Sequence, residues 1–372
     1  MYNANRRMIN LPSHEIGSDN YRVQRKVWPD IIRIVAIFSV IVLHSSGAGF
    51  GGRFHYDSSE FLACNFYNGL VRFCVPVFVM ISGMFLLNPN HDYPLKKLSK
   101  KILHIAIAFL IWSIVYAIIE LLHKQSYIEL NIKTIKFLLI RIIQGHYHLW
   151  FLFMISGLYI ITPILRQIVI NERILKYYIF CGFLFVFFFN PLTKIPRIGN
   201  LFNDLLLKKL DIHIVCGFSI YYVLGYWLSI CKLDMRKRIY IYILGLISLL
   251  FTVIANGIIC YRYQEEKCFV FDNFLPNIFF VSIAIFVFLQ YAYKNMEISP
   301  KIHMTISKIG ELCFGIYLVH ELFRRHLYLI GLPSFFIHPL FSIPISSIIA
   351  FILSLLFVYI ISKIPYIKKY EI

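Results

Sequence analysis

From residue 29 to residue 362 the chain is a succession of apolar runs, each about 20 residues long. About 20 residues is the length a helix needs to cross roughly 30 Å of hydrocarbon. We place ten such spans, at 29–49, 66–87, 102–122, 148–165, 174–190, 212–231, 239–260, 274–293, 310–330 and 338–362. Charged residues make up only 15% of the chain. A soluble domain carries about 25%, so this chain has too little polar surface to cover a globule in water. Helix is the conformation that satisfies its own backbone in lipid, and no ten-residue alternation suggests a barrel. The expected fold class is an all-α polytopic membrane protein of about ten transmembrane helices. A basic arm (1–28) precedes the membrane domain (29–362), and a short tail (363–372) follows it.

The net charge of +18 is spread between the apolar runs rather than gathered on one basic face, which argues topology and not nucleic acid. With the N-terminus inside, the inner segments hold 22 Lys and Arg and the outer ones 11, so both termini are expected in the cytoplasm. Arg33, Arg72, Arg324 and Arg325 fall inside spans. A signal peptide is disfavoured for the first run, which is longer than a 7–15-residue signal core and contains Arg33. The segment 127–143 sets Lys and Arg among apolar residues at helical spacing and reads as an amphipathic helix lying on the outer surface. No inverted repeat is evident. Cys260 and Cys268 flank one loop and are spaced for a disulfide if that loop meets an oxidising compartment.

An ionisable side chain at membrane depth costs a few kcal/mol, about 2.5–3.5 on the insertion scale, so each one needs a reason. In the first span Arg33 and His44 are eleven residues apart, about 20° out of register, so they share a helix face about 16 Å apart along the axis. Asp30, one turn before Arg33, is placed to pair with it. In the second span Arg72 is expected at a depth similar to that of His44. The ninth carries Glu311, His320, Glu321, Arg324, Arg325 and His326, which implies a water-lined inner face. His146 and His148 open the fourth at its outer boundary; at i,i+2 on a helix they would point apart and would not form a metal site. The bland reading is that Arg33 snorkels to headgroups and His44 bonds a neighbouring helix.

Four blocks carry a resemblance. They are D-I-I-R followed ten residues later by His44; R-x-x-x-P-x-F-x-x-x-S-G at Arg72, Pro76, Phe78, Ser82 and Gly83; HLWFLFMISGLYIITPIL at 148–165; and GELCFGIYLVH at 310–320. Together, in this order, the chain resembles the acyltransferase-3 family of integral membrane O-acyltransferases, and within it the stand-alone members that modify surface glycans. The resemblance implies acyl-CoA, most often acetyl-CoA, as a cytoplasmic co-substrate without a metal. It implies a glycan or lipid-linked saccharide as acceptor and a multi-pass location in the bacterial cytoplasmic (inner) membrane. By analogy His44 is the catalytic histidine and Arg33 belongs to the acyl-CoA end. Coenzyme A carries several phosphates, which suits a vestibule holding Arg33 with Asp30, Lys96 and Lys97. Arg72 is the candidate for the thioester oxygen, and His320 with Glu321 for a supporting part in catalysis.

No nucleotide-binding glycine motif is present, and Ser45 and Ser46 read as packing or backbone-bonding residues rather than nucleophiles. A transporter or flippase for a glycan or organic anion would line its pathway with the same polar groups and is the competing reading. Acceptor choice is expected to lie at the outer helix ends and in the loops 123–147 and 191–211.

Overall fold

The structure, a computed structural model, describes residues 26–124, 131–192 and 217–364. Most of the expected basic arm and tail, the first part of the 127–143 segment, the loop 193–216 and Cys216 lie outside these residues. Twelve helices of eight residues or more account for most of the described chain, and no strand occurs among the described residues. They are α1 (Trp28–Gly47), α2 (Ser59–Leu70), α3 (Cys74–Leu86), α4 (Leu95–Lys124), α5 (Ile132–Gln144) and α6 (Trp150–Ile170). There follow α7 (Glu172–Gly182), α8 (Ser219–Ile230), α9 (Met235–Tyr263), α10 (Pro276–Tyr293), α11 (Pro300–His326) and α12 (Pro339–Ile361).

Among the described residues, eight helical stretches are long and apolar enough to cross a membrane. The expected spans at 174–190 and 212–231 correspond to α7 with its π-helical continuation Phe183–Phe189 and to the twelve-residue α8. The chain is an integral multi-pass membrane protein, and its surface chemistry is that of one. On α9 the outward residues are Ile243, Ile247, Leu250, Phe251, Ile254 and Ile258, while Ser248, Thr252 and Asn256 are buried. Lipid accepts the apolar face, and the polar groups find partners inside: Asn256 donates to Asn65 at 2.8 Å, and Asn277 donates to Thr252 at 2.8 Å.

Because lipid is as apolar as leucine, helices here associate by close packing rather than by the hydrophobic effect, and small residues permit it. A Cβ on Gly83 would meet the backbone of Tyr222, and one on Gly225 would meet the backbone of Met80, so α3 and α8 cross in direct backbone contact. This explains the Gly in the S-G of the second block. Helix starts follow ordinary rules. Ser58 caps α2, Asn171 caps α7 and Asp234 caps α9 by accepting backbone N–H groups, and prolines stand in the first turns of α1, α10, α11 and α12.

The span expected at 66–87 is broken. It runs as α2 and α3 with a non-helical interval at Val71, Arg72 and Phe73. Pro76 has no N–H to give to the carbonyl of Arg72, so the ladder is interrupted there and restarts at Cys74. Helix α1 lies at the centre, packed by α2, α3, α10, α11 and α12. Arg33 and His44 therefore sit on a helix held on several sides by its neighbours.

Candidate functional site

His44 occupies the last turn of α1, half-buried, and its imidazole faces a group of rings from two other elements. The His320 ring of α11 stacks on it, 5.4 Å between centroids and 23° from parallel. Tyr147 meets it edge-on at 5.2 Å, with its hydroxyl 3.3 Å from His44 Nδ1. His148 lies 6.4 Å away and is also edge-on to His320 at 5.2 Å. A local backbone feature delivers Tyr147 and His148. Gly145 takes φ +70°, the left-handed region that favours glycine, and ends α5; His146 is extended, and Tyr147–Leu149 form one 3₁₀ turn.

That turn corrects the expectation for His146 and His148. They are not on a regular helix and do not point apart: their Nδ1 atoms are 2.7 Å from one another. His148 is buried among protein side chains. Even so, no group of three or more His, Cys, Asp or Glu among the described residues is arranged to hold a metal ion.

Hydrogen bonding fixes where some of the protons sit. His320 Nδ1 is 2.7 Å from the carbonyl oxygen of Tyr317, and a carbonyl can only accept, so Nδ1 carries the proton. In the neutral ring the lone pair is then on Nε2, which is buried and has no protein partner. His148 Nε2 is likewise buried without a partner. Of the His146 and His148 Nδ1 atoms, one donates and the other accepts. The cluster thus contains imidazole nitrogens not consumed by structure, beside a half-open His44.

Glu321 does not bond a histidine. Its carboxylate takes a two-pronged contact from Arg324, both bonds at 2.7 Å, and a third from Arg325 Nε at 2.5 Å. Glu321 is fully buried and Arg324 nearly so, and Arg325 reaches on to place its guanidinium 5.3 Å from the Tyr147 ring. The cations next to the histidines are therefore these two arginines. Arg72 sits elsewhere. Its guanidinium lies 4.2 Å over the Phe271 ring and donates to Asn68 Oδ1. Asn68 in turn donates to the carbonyl of Leu43 at 3.1 Å and to Ser46 Oγ at 3.0 Å, on either side of His44. Arg72 is thus coupled to the His44 turn through Asn68, and its Nε is buried without a partner.

At the opposite end of α1, Arg33 pairs with buried Asp30 at 2.7 Å and lies 4.7 Å over Phe85, near the end of α3. A Cβ on Gly310 would come within 2.6 Å of Asp30 Cβ, so the glycine of the GELCFG block is what lets α11 approach the ion pair. Arg166 fastens the same corner by donating to the carbonyls of Leu86, Asn88 and His91 at 2.7, 3.1 and 2.8 Å. Exposed Lys96 and Lys97 open α4 just beyond, with Lys97 Nζ 4.5 Å over Tyr93. The sequence reading missed Tyr147, Asn68 and Arg166. The only local signal was the Gly145 that opens GHYHLW. Cys260 and Cys268 are both free thiols.

The sequence model of one family, described as an acyltransferase domain and designated acyltransferase 3, matches residues 26–363. No curated protein and no solved structure matches the chain.

Proposed function

The chain belongs to the acyltransferase-3 family, and from that premise we propose that it moves an acetyl group from cytoplasmic acetyl-CoA to a hydroxyl of a cell-surface glycan or its lipid-linked precursor. The membrane is the bacterial cytoplasmic membrane, with both termini inside. The observation that carries the reading is the half-open His44 ring within a cluster of imidazoles, on the same helix as Arg33 and about 16 Å from it.

In this reading the phosphates of coenzyme A lie at the Arg33 end, met by Lys96, Lys97 and Arg33, with Asp30 holding the Arg33 guanidinium in place. The pantetheine arm carries the thioester along α1 to His44. Tyr147 Oη accepts from His44 Nδ1–H, which leaves the Nε2 lone pair for the acceptor. The acceptor hydroxyl gives its proton to Nε2 and its oxygen bonds the acyl carbon. The carbon–sulfur bond breaks and the leaving thiolate of coenzyme A takes up the proton, so ester and thiol are formed in equal amount. Arg72 acts on this site through Asn68, whose hydrogen bonds to Leu43 and Ser46 hold the turn that carries His44. His320 stacks on His44 and fixes its ring plane, and Glu321 balances Arg324 and Arg325 beside it.

The test uses inverted membrane vesicles containing the protein, given radiolabelled acetyl-CoA outside. Alkali-labile label in the carbohydrate fraction, absent from vesicles without the protein, is the expected result. Consumption of acetyl-CoA with no ester on any carbohydrate would overturn the glycan acceptor.

A further inference from the structure

A cavity of about 340 Å³ lies between the last turns of α4 and α11 and the turn at Gly145. Tyr116, Glu120 and His123 of α4, His146, and Glu321, Arg325 and His326 of α11 form most of its wall. We propose that it receives the sugar that bears the acceptor hydroxyl, as a neutral pyranose. The proposal rests on the acyl-transfer reading above.

Position is the first argument. Glu120 is 24 residues along α4 from Lys96, roughly 36 Å of helix, so the cavity is at the His44 end and far from the lysines. It shares its wall with the histidine cluster at three places. His146 is bonded to His148, Glu321 follows the stacked His320, and Arg325 covers Tyr147, whose hydroxyl meets His44.

Chemistry is the second. The two carboxylates of the wall are each matched by arginine: Glu120 by Arg141 at 2.7 Å, and Glu321 by Arg324 and Arg325. Glu321 is sealed beneath its arginines, but partly exposed Glu120 keeps carboxylate lone pairs and half-exposed Arg325 keeps guanidinium N–H groups on the wall. A hydroxyl, which both donates and accepts, can use both at once. A phosphate or carboxylate ligand would have to break these ion pairs to gain a cation of its own, so the wall favours an uncharged ring over the nucleotide end of coenzyme A, which Arg33, Lys96 and Lys97 meet at the other end of the molecule. Flat rings complete the wall. His146 stacks on Tyr116 at 4.4 Å and 20°, and His123 lies against His326 at 5.1 Å and 33°, so paired rings stiffen the wall. The volume is at the lower end of the roughly 300–1,000 Å³ of small-molecule sites, which suits a ring or two and not an extended chain.

The test uses the purified full-length protein in lipid nanodiscs with radiolabelled acetyl-CoA. The acceptors are methyl glucoside, methyl galactoside and methyl mannoside, the anionic methyl glucuronide, and hydroxylamine, a nucleophile too small to need the cavity. Rates are taken above those of the His44→Ala protein. At least one neutral glycoside is expected to accept acetyl with saturation, at a kcat/KM about tenfold or more above that of the glucuronide. Glu120→Gln and Ile119→Trp, two independent changes to the wall, are each expected to raise the glycoside KM and to lower the ratio of glycoside to hydroxylamine transfer about tenfold. If hydroxylamine is acetylated but no neutral glycoside is, or if both variants keep the wild-type ratio, the cavity is not the acceptor site while acyl transfer stands. If neither hydroxylamine nor any glycoside is acetylated, the acyl-transfer reading and the cavity proposal fall together.

Discussion

The hydroxyl of Tyr147 lies 3.3 Å from Nδ1 of His44, joining the turn that begins α6 to the last turn of α1. In the proposed mechanism this contact decides which imidazole nitrogen is free. Tyr147→Phe removes the acceptor for Nδ1–H and lets the ring take either tautomer. One hydrogen bond of about 1–1.5 kcal/mol corresponds to roughly a fivefold to tenfold loss. The expected outcome is a fall of that size in kcat with the acetyl-CoA KM unchanged, read from steady-state kinetics. A change confined to KM would remove Tyr147 from the chemistry.

Glu321 is fully buried under two arginines, so its removal is predicted to cost stability before anything else. Glu321→Gln leaves Arg324 nearly buried and uncompensated, a change of the kind that costs about 3–5 kcal/mol. Arg325→Ala deletes a half-exposed partner and is expected to cost less than about 1 kcal/mol. Thermal unfolding in detergent should therefore show a large drop in Tm for the first and a small one for the second. Equal drops would contradict the ranking.

Gly310 touches Asp30 so closely that a methyl group has nowhere to go. Gly310→Ala must move α11 or displace the Asp30 carboxylate, an overpacking cost of about 1–3 kcal/mol. Because Asp30 holds Arg33, the same change is expected to raise the acetyl-CoA KM. A variant with wild-type Tm and wild-type KM would show that the close approach is dispensable.

Lys96 and Lys97 are exposed, so their contribution to acyl-CoA binding is predicted to be long-ranged and screened. The double variant Lys96→Gln, Lys97→Gln should raise the acetyl-CoA KM several-fold, about threefold to tenfold, at low salt, and much less at 0.5 M salt, where the Debye length falls to roughly 4 Å. A salt-independent effect would point to a direct structural role instead.

Much of this site could be read from the sequence because lipid makes ionisable residues conspicuous. Arg33, Asp30 and His44 stood out on one apolar run, and helix geometry alone put Arg33 and His44 on a shared face. The GELCFG block likewise marked α11, and the structure gives its first glycine a reason in the approach to Asp30. What could not be read depended on departures from regular helix. His146 and His148 diverge on an ideal helix, and only the positive φ at Gly145 turns their Nδ1 atoms together. The sequence places Arg72 and His44 at one depth but does not show what the break after α2 brings about, a guanidinium turned to Asn68 and Phe271 that reaches the His44 turn through Asn68. Glu321 is next to His320 in sequence, yet successive residues on a helix face about 100° apart, and the arginines one turn later claim it.

His44 is the residue on which the proposed chemistry depends. The direct measurement is acetyl-CoA consumption and ester formation by purified His44→Ala protein beside wild type, with folding checked by size-exclusion profile and Tm. Loss of a general base predicts a fall in kcat of about 10²–10⁴ with the acetyl-CoA KM nearly unchanged. A folded His44→Ala protein that forms ester at a rate within about twofold of wild type would contradict the account, because no factor that small can come from losing the base.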